Sequence, residues 1–162
     1  MPHPEAPVAQ LTHELEEART AFMAAVAGLT PAQTAPQPLV GEWSLREVIA
    51  HLGYWIGQTV EAIHLVEQGQ GEEFEDLTDA AVEERNATVA RVARETDLAT
   101  VRRREEGSFQ ALTARLASLD PGLLDVRLPG GDTLADQIRI GPEHYREHAI
   151  DIWNAAAGSS SS

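Results

Sequence analysis

The sequence predicts an all-α fold, a four-helix bundle with one short extra helical segment, on three observations. Apolar residues recur at alternating steps of three and four, the mark of amphipathic helices. Helix start and stop signals separate the stripes. No stretch alternates convincingly enough to make a strand; Val126-Arg127-Leu128 could at most form a short extended piece.

The first helix is carried by Leu11, Leu15, Ala18, Phe22, Val26 and Leu29, and Thr30-Pro31 ends it. A proline-rich loop (Pro31, Pro36, Pro38) leads to Trp43. Ser44 then offers an N-cap, Glu47 the reciprocal half of a capping box, and Trp43 with Val48 the two positions of a hydrophobic staple. Leu45, Val48, Leu52, Ile56, Thr59, Ile63 and Val66 continue that helix until Gly69-Gln70-Gly71 stops it. Thr78 is expected to cap a shorter helix to about Glu95, and Asp97 another to about Leu119. A turn over Asp120–Asp132 precedes the last helix, from about Thr133 to Ala156. Pro142 lies inside it and withholds a donor from the Ile138 carbonyl, so one kinked helix is expected. A fresh start at Pro142 would instead set a positive helix terminus beside the histidines discussed below. Residues 1–157 form one domain in this reading, and 158–162, Gly158 and four serines, a disordered tail.

Composition narrows the function classes. The 162 residues carry 26 acidic against 12 basic side chains, a net charge of −14. Such a surface repels phosphate backbones and anionic lipid, so neither nucleic acid nor membrane is an expected partner. The densest basic stretch, Arg102-Arg103-Arg104, is followed at once by Glu105-Glu106 and reads as a solvated helix face. No apolar run reaches the ~20 residues of a bilayer span. The N-terminal residues do not resemble a secretory signal, which makes the cytoplasm the expected location. Cysteine is absent, which removes disulfides, thiolate ligands and a cysteine nucleophile.

The informative chemistry is histidine. His144 and His148 stand at i, i+4, which places two imidazoles on one helix face with Cβ atoms ~5–6 Å apart. His51 falls at the edge of the apolar stripe of the second helix, where a side chain can enter a cleft between helices. His64 falls on the far side of that helix, and His3 and His13 have no partners at ligand spacing, so all three are expected at the surface. Three neutral imidazoles would leave coordination positions open for water or substrate. Imidazole suits Zn, Ni, Fe and Cu, and Mn also belongs among the candidate divalent ions. Tyr54, Trp55 and Tyr145 are candidate pocket-lining residues, and Glu47, Glu143 and Glu147 are candidate bases. Glu47 already has its capping role.

The segment Glu42-Trp43-Ser44-Leu45-Arg46-Glu47-Val48-Ile49-Ala50-His51-Leu52, together with His144-Tyr145-Arg146-Glu147-His148, resembles the DinB-like superfamily. The stretch Leu128-Pro129-Gly130-Gly131-Asp132-Thr133-Leu134-Ala135-Asp136 resembles that family's lead-in to its last helix. The resemblance implies a four-helix bundle, often dimeric, with a metal held by one histidine of the second helix and two of the last. The matching positions are His51, His144 and His148. It also implies thiol-dependent chemistry, as in bacillithiol transferases and the mycothiol-dependent maleylpyruvate isomerase. The isomerase branch has a glutamate in place of one histidine, whereas His144 follows the three-histidine pattern. The expected function is therefore a metal-dependent transfer of a low-molecular-weight thiol to a small electrophile. The alternatives are a metal-dependent hydrolase and a non-catalytic, stress-associated metal-binding dimer.

Overall fold

A computed structural model describes residues 6–159 of the chain. Five helices follow in order: α1 Ala6–Ala27, α2 Leu45–Glu67, α3 Asp79–Arg94, α4 Leu98–Ala117 and α5 Leu134–Ser159. Short 3-10 turns at Gly71–Glu73 and Pro121–Asp125 sit in two of the connections. Among the described residues there is no strand, only isolated bridges between Val40 and Trp43 and between Arg127 and Thr133. The extended piece expected around Val126–Leu128 takes the second of these forms.

The caps explain where the helices begin. At α2 the Ser44 amide donates to Glu47 Oε1 at 3.3 Å, one half of the expected capping box. Ala81 N donates to Thr78 Oγ1 at 3.2 Å, and Thr100 N to Asp97 Oδ1 at 2.8 Å. The start of α5, left between Asp132 and Thr133 by the sequence, is decided by a reciprocal pair. Asp136 N donates to Thr133 Oγ1 at 3.2 Å and Thr133 N to Asp136 Oδ2 at 3.0 Å. Thr133 is the cap.

Helix α5 is continuous through Pro142, as expected. The glycine before it has its own reason. A Cβ on Gly141 would sit 3.0 Å from Ile56 Cδ1 and 3.3 Å from Leu15 Cδ1, so α1 and α2 both press against α5 there. The helix also runs past the expected end at Ala156 to Ser159. Helix ends are soft by a residue or two, and the last three serines of the expected tail lie outside the described residues, as does His3.

Contacts fix the directions. Helix α2 runs antiparallel to α5, with His51 beside His148 and Thr59 bonded to Gln137 at 3.2 Å. It runs parallel to α4, since Gly53 meets Glu105 while Glu67 pairs with Arg115 at 3.4 Å. Parallel neighbours need a crossover, and α3 supplies it. It returns along α2, with Arg94 on Glu47 and Asn86 on Trp55, and buries only Ala90 and Ala93. Helix α1 packs most heavily on α5, where Phe22 and Tyr145 rings lie 5.9 Å apart. The largest fully buried side chains, among them Leu15, Phe22, Leu52, Ile56, Leu112 and Ile138, come from α1, α2, α4 and α5. Those four helices share the core and α3 lies outside it. No helix of the described residues is long and apolar enough to cross a membrane.

One charged stretch departs from expectation. Arg102, Arg103, Arg104 and Glu106 are exposed, but Glu105 is only 1% exposed. Its carboxylate takes two bonds from Arg19 of α1, at 2.7 and 2.9 Å, and a third from the Tyr145 hydroxyl at 2.6 Å. A residue pattern of alternating charge cannot reveal a buried ion pair whose cation lies 86 positions away.

Candidate metal centre

The fold brings His51, His144 and His148 together. Their ring centroids lie 5.1 Å apart for His51–His148, 5.8 Å for His51–His144 and 6.4 Å for His144–His148. His51 enters from α2 and is 9% exposed. The other two are half-buried on adjacent turns of α5. The Trp43 ring covers His51 at 5.1 Å, so the residue before the N-cap of α2 also walls the site.

Two of the three imidazoles carry a buried nitrogen with no hydrogen-bond partner, Nδ1 of His51 and Nδ1 of His148. For His148 an Asp151 oxygen stands 3.1 Å away, within ion-pair range. The pair lacks hydrogen-bond alignment, so the nitrogen remains unsatisfied. Buried polar atoms almost always find partners, and exceptions in a folded protein call for an explanation.

The electrostatics favour the neutral form of His51 and His144. Burial holds the His51 pKa down at about 4, and the neighbouring His148 and His144 add to the effect, against a weaker opposing bond to Asn86. Burial also lowers His144, while Glu147 pulls it back. At neutral pH a metal ion therefore meets little proton competition at His51.

The ring spacing bears on whether an ion fits. Tetrahedral binding at ~2.0–2.1 Å per nitrogen sets ring centroids about 5 Å apart. The His51–His148 pair already has that spacing at 5.1 Å. His144 stands about 1 Å too far out for the tetrahedral spacing. Accordingly, among the described residues no group of three His, Asp or Glu side chains is arranged to hold an ion as it stands. The donor chemistry, three imidazoles with two unpartnered buried nitrogens among them, fits a metal ion, although the rings are not spaced to hold one as they stand.

A cleft of about 430 Å³ opens onto this cluster. His51, Trp55, Asn86, His144, Glu143 and Glu147 line it on the helix side, with Phe74, Asp76, Pro129 and Asp132 from the two loops facing them. Of the candidate lining residues, Trp55 is in place, and its indole N–H donates to Asn86 Oδ1 at 2.7 Å. Tyr54 opens instead onto a separate apolar cavity of about 310 Å³ between α2, α3 and α4. Tyr145 is corrected outright. It is fully buried on the Glu105 side of α5, because one residue along a helix turns the side chain by about 100° away from His144.

Among the candidate bases, Glu143 and Glu147 reach the cleft, whereas Glu47 is taken up by its cap and by Arg94 Nε at 3.1 Å. His13 is exposed beside Glu17 at 3.2 Å, and His64, expected at the surface, is half-buried. Asn86, Phe74 and Asp76 had no signal of their own in the sequence, and Pro129 and Asp132 stood only in the stretch that resembles the family's lead-in to its last helix. They matter only because α3 and the two connections fold over α2.

A model of the DinB superfamily matches residues 14–152. The chain belongs to this family. Among solved structures it is similar to the mycothiol-dependent maleylpyruvate isomerase, at 17% identity and a TM-score of 0.70, covering 94% of this chain and 63% of that one. A histidine-to-alanine mutant of that enzyme matches at 15% identity and 0.69 over the same shares. The chain thus spans less than two thirds of the isomerase, and the likeness is one of fold. No curated protein matches the sequence.

Proposed function

We propose that this DinB-family protein is a divalent-metal-dependent enzyme built on a four-helix bundle of α1, α2, α4 and α5. His51, His144 and His148 would hold the ion. The observation that carries the reading is the convergence of three imidazoles beside a cleft, two of them with a buried nitrogen left without a hydrogen-bond partner. When bound, the ion supplies a Lewis acid that lowers the pKa of a thiol or water at its open positions.

The proposed reaction joins a low-molecular-weight thiol to a small electrophile. A carbon–sulfur bond forms, the leaving group departs with its electron pair, and the thiol proton passes to Glu143 or Glu147. Thiol use is supported by the similarity to an enzyme whose name states mycothiol dependence. Trp43 and the depth of His51 keep water from one side of the site. Metal-dependent hydrolysis is the second reading, favoured by the same two carboxylates in the cleft. A non-catalytic, self-associating role draws on the exposure of Ile150 and Trp153, 60% and 57%, on α5.

The deciding experiment is metal content of tag-free protein, beside the double variant His144→Ala, His148→Ala. Near-stoichiometric metal in the parent and its loss in the variant are expected. No metal in either protein, and none taken up on addition, would overturn the reading. With metal in place, a chromogenic ester assayed with and without added thiol separates the two chemistries, and a sedimentation profile settles self-association.

A further inference from the structure

The cleft over the histidines has a lopsided charge. Five carboxylates line it, Glu75, Asp76, Asp132, Glu143 and Glu147, and no arginine does. The chain has no lysine at all, so every basic group is an arginine or a histidine. Glu75 is paired with Arg85 at 2.6 Å, which also bonds the Tyr54 hydroxyl at 3.1 Å. Among the ion pairs of the described residues none neutralises Asp76, Asp132, Glu143 or Glu147.

A ring of acidic side chains alone would be a solvated rim. A second observation points to a ligand. His51, 9% exposed, lines this same cleft and keeps a buried nitrogen unpartnered. The wall also carries two aromatic side chains, Trp55 and Phe74. Aromatic faces beside carboxylates are the surroundings that attract an organic cation. The carboxylates do not gather tightly enough to hold a metal ion of their own. Their spread suits an extended molecule better than a compact ion.

We propose that the cleft selects a substrate bearing an organic cation, an ammonium or amidinium group on an apolar body, and disfavours anionic substrates. This rests on the reading of the cleft as the substrate site and names the class of molecule it takes. A divalent ion on three neutral imidazoles would not reverse the sign, since four unpaired carboxylates outweigh its two charges.

The test needs no metal. The full chain, held in EDTA at low salt, is titrated with 2-phenylethylamine, 2-phenylethanol and 3-phenylpropanoate, probes of similar size and different charge. The readout is the Trp55 indole N–H resonance, assigned with Trp55→Phe. The ammonium probe is expected to bind about tenfold tighter than the carboxylate, with the alcohol between, as two or more exposed charges would produce. In the double variant Glu143→Gln, Glu147→Gln the preference is expected to shrink to about threefold or less. Equal or tighter binding of the carboxylate overturns the proposal. So does a Trp55 resonance unmoved by the amine, or a preference untouched by the double variant. Absence of metal binding would show separately, in the metal content, and leaves this result standing on its own.

Discussion

Helix α5 presents two polar clusters on different faces, and they are built to opposite rules. On one side Tyr145 joins Glu105 and Arg19 in a knot in which the buried carboxylate takes three bonds. On the other, His144 and His148 face His51 with two buried nitrogens unsatisfied. Both clusters tie α5 to other helices, and residues 144 and 145 are neighbours in the chain. The contrast teaches what each is for. A buried network with its bonds made rigidifies the fold, whereas buried polar atoms without hydrogen-bond partners call for an explanation, and metal binding is the one proposed above.

The comparison can be broken most forcefully at the knot. Arg19→Met leaves Glu105, whose side chain is fully buried, with only a tyrosine as partner. A loss of about 3–5 kcal/mol in urea unfolding is expected, because an uncompensated buried charge remains. Removing both charges, Arg19→Met with Glu105→Leu, should recover most of that loss. If the double variant is as unstable as the single, the knot is not an isolated unit.

The histidine side responds to acid. The folded pKa of His51, about 4, lies below its ordinary 6.5, so the unfolded chain binds more protons between those values. Stability of the metal-free protein should therefore fall as the pH drops from about 6.5 to 4, by something of order 3 kcal/mol, and level off below. His51→Leu should flatten that portion of the curve. An unchanged slope in the variant would place the acid sensitivity elsewhere.

The smallest effect sharpens the boundary between the two clusters. Tyr145→Phe removes the 2.6 Å bond to Glu105 and should cost about 1.5–3 kcal/mol, as a hydrogen bond to a charged group does. Because the side chain faces away from the cleft, metal content should stay unchanged. A fall in metal content would show that the knot also aims the histidines.

Much of this architecture was legible from local pattern. The starts of α2, α3 and α4 follow from Ser44, Thr78 and Asp97, because a cap and its amides lie within one turn of each other. His144 and His148 share a face for the same reason of helical spacing. That His51 meets them came from the family resemblance and its place at the edge of a stripe, and no spacing rule could have supplied it. The solvated reading of Glu105 failed because its partners lie on other helices. Tyr145 does not line the histidine cleft and Tyr54 lines a different cavity, because proximity in sequence to a histidine says nothing about which side of the helix is open.

By itself, then, the sequence determined what is local: helices, caps, the continuous α5, the paired histidines and an acidic surface. Only the tertiary structure decided what depends on distant segments meeting. It put α3 across α2 so that Asn86 and Phe74 close a cleft over His51, and it sank Glu105 between Arg19 and Tyr145. The physical reason is range. Capping and helical periodicity act within a turn, while burial and ion pairing are settled by whichever surfaces the packed helices bring together.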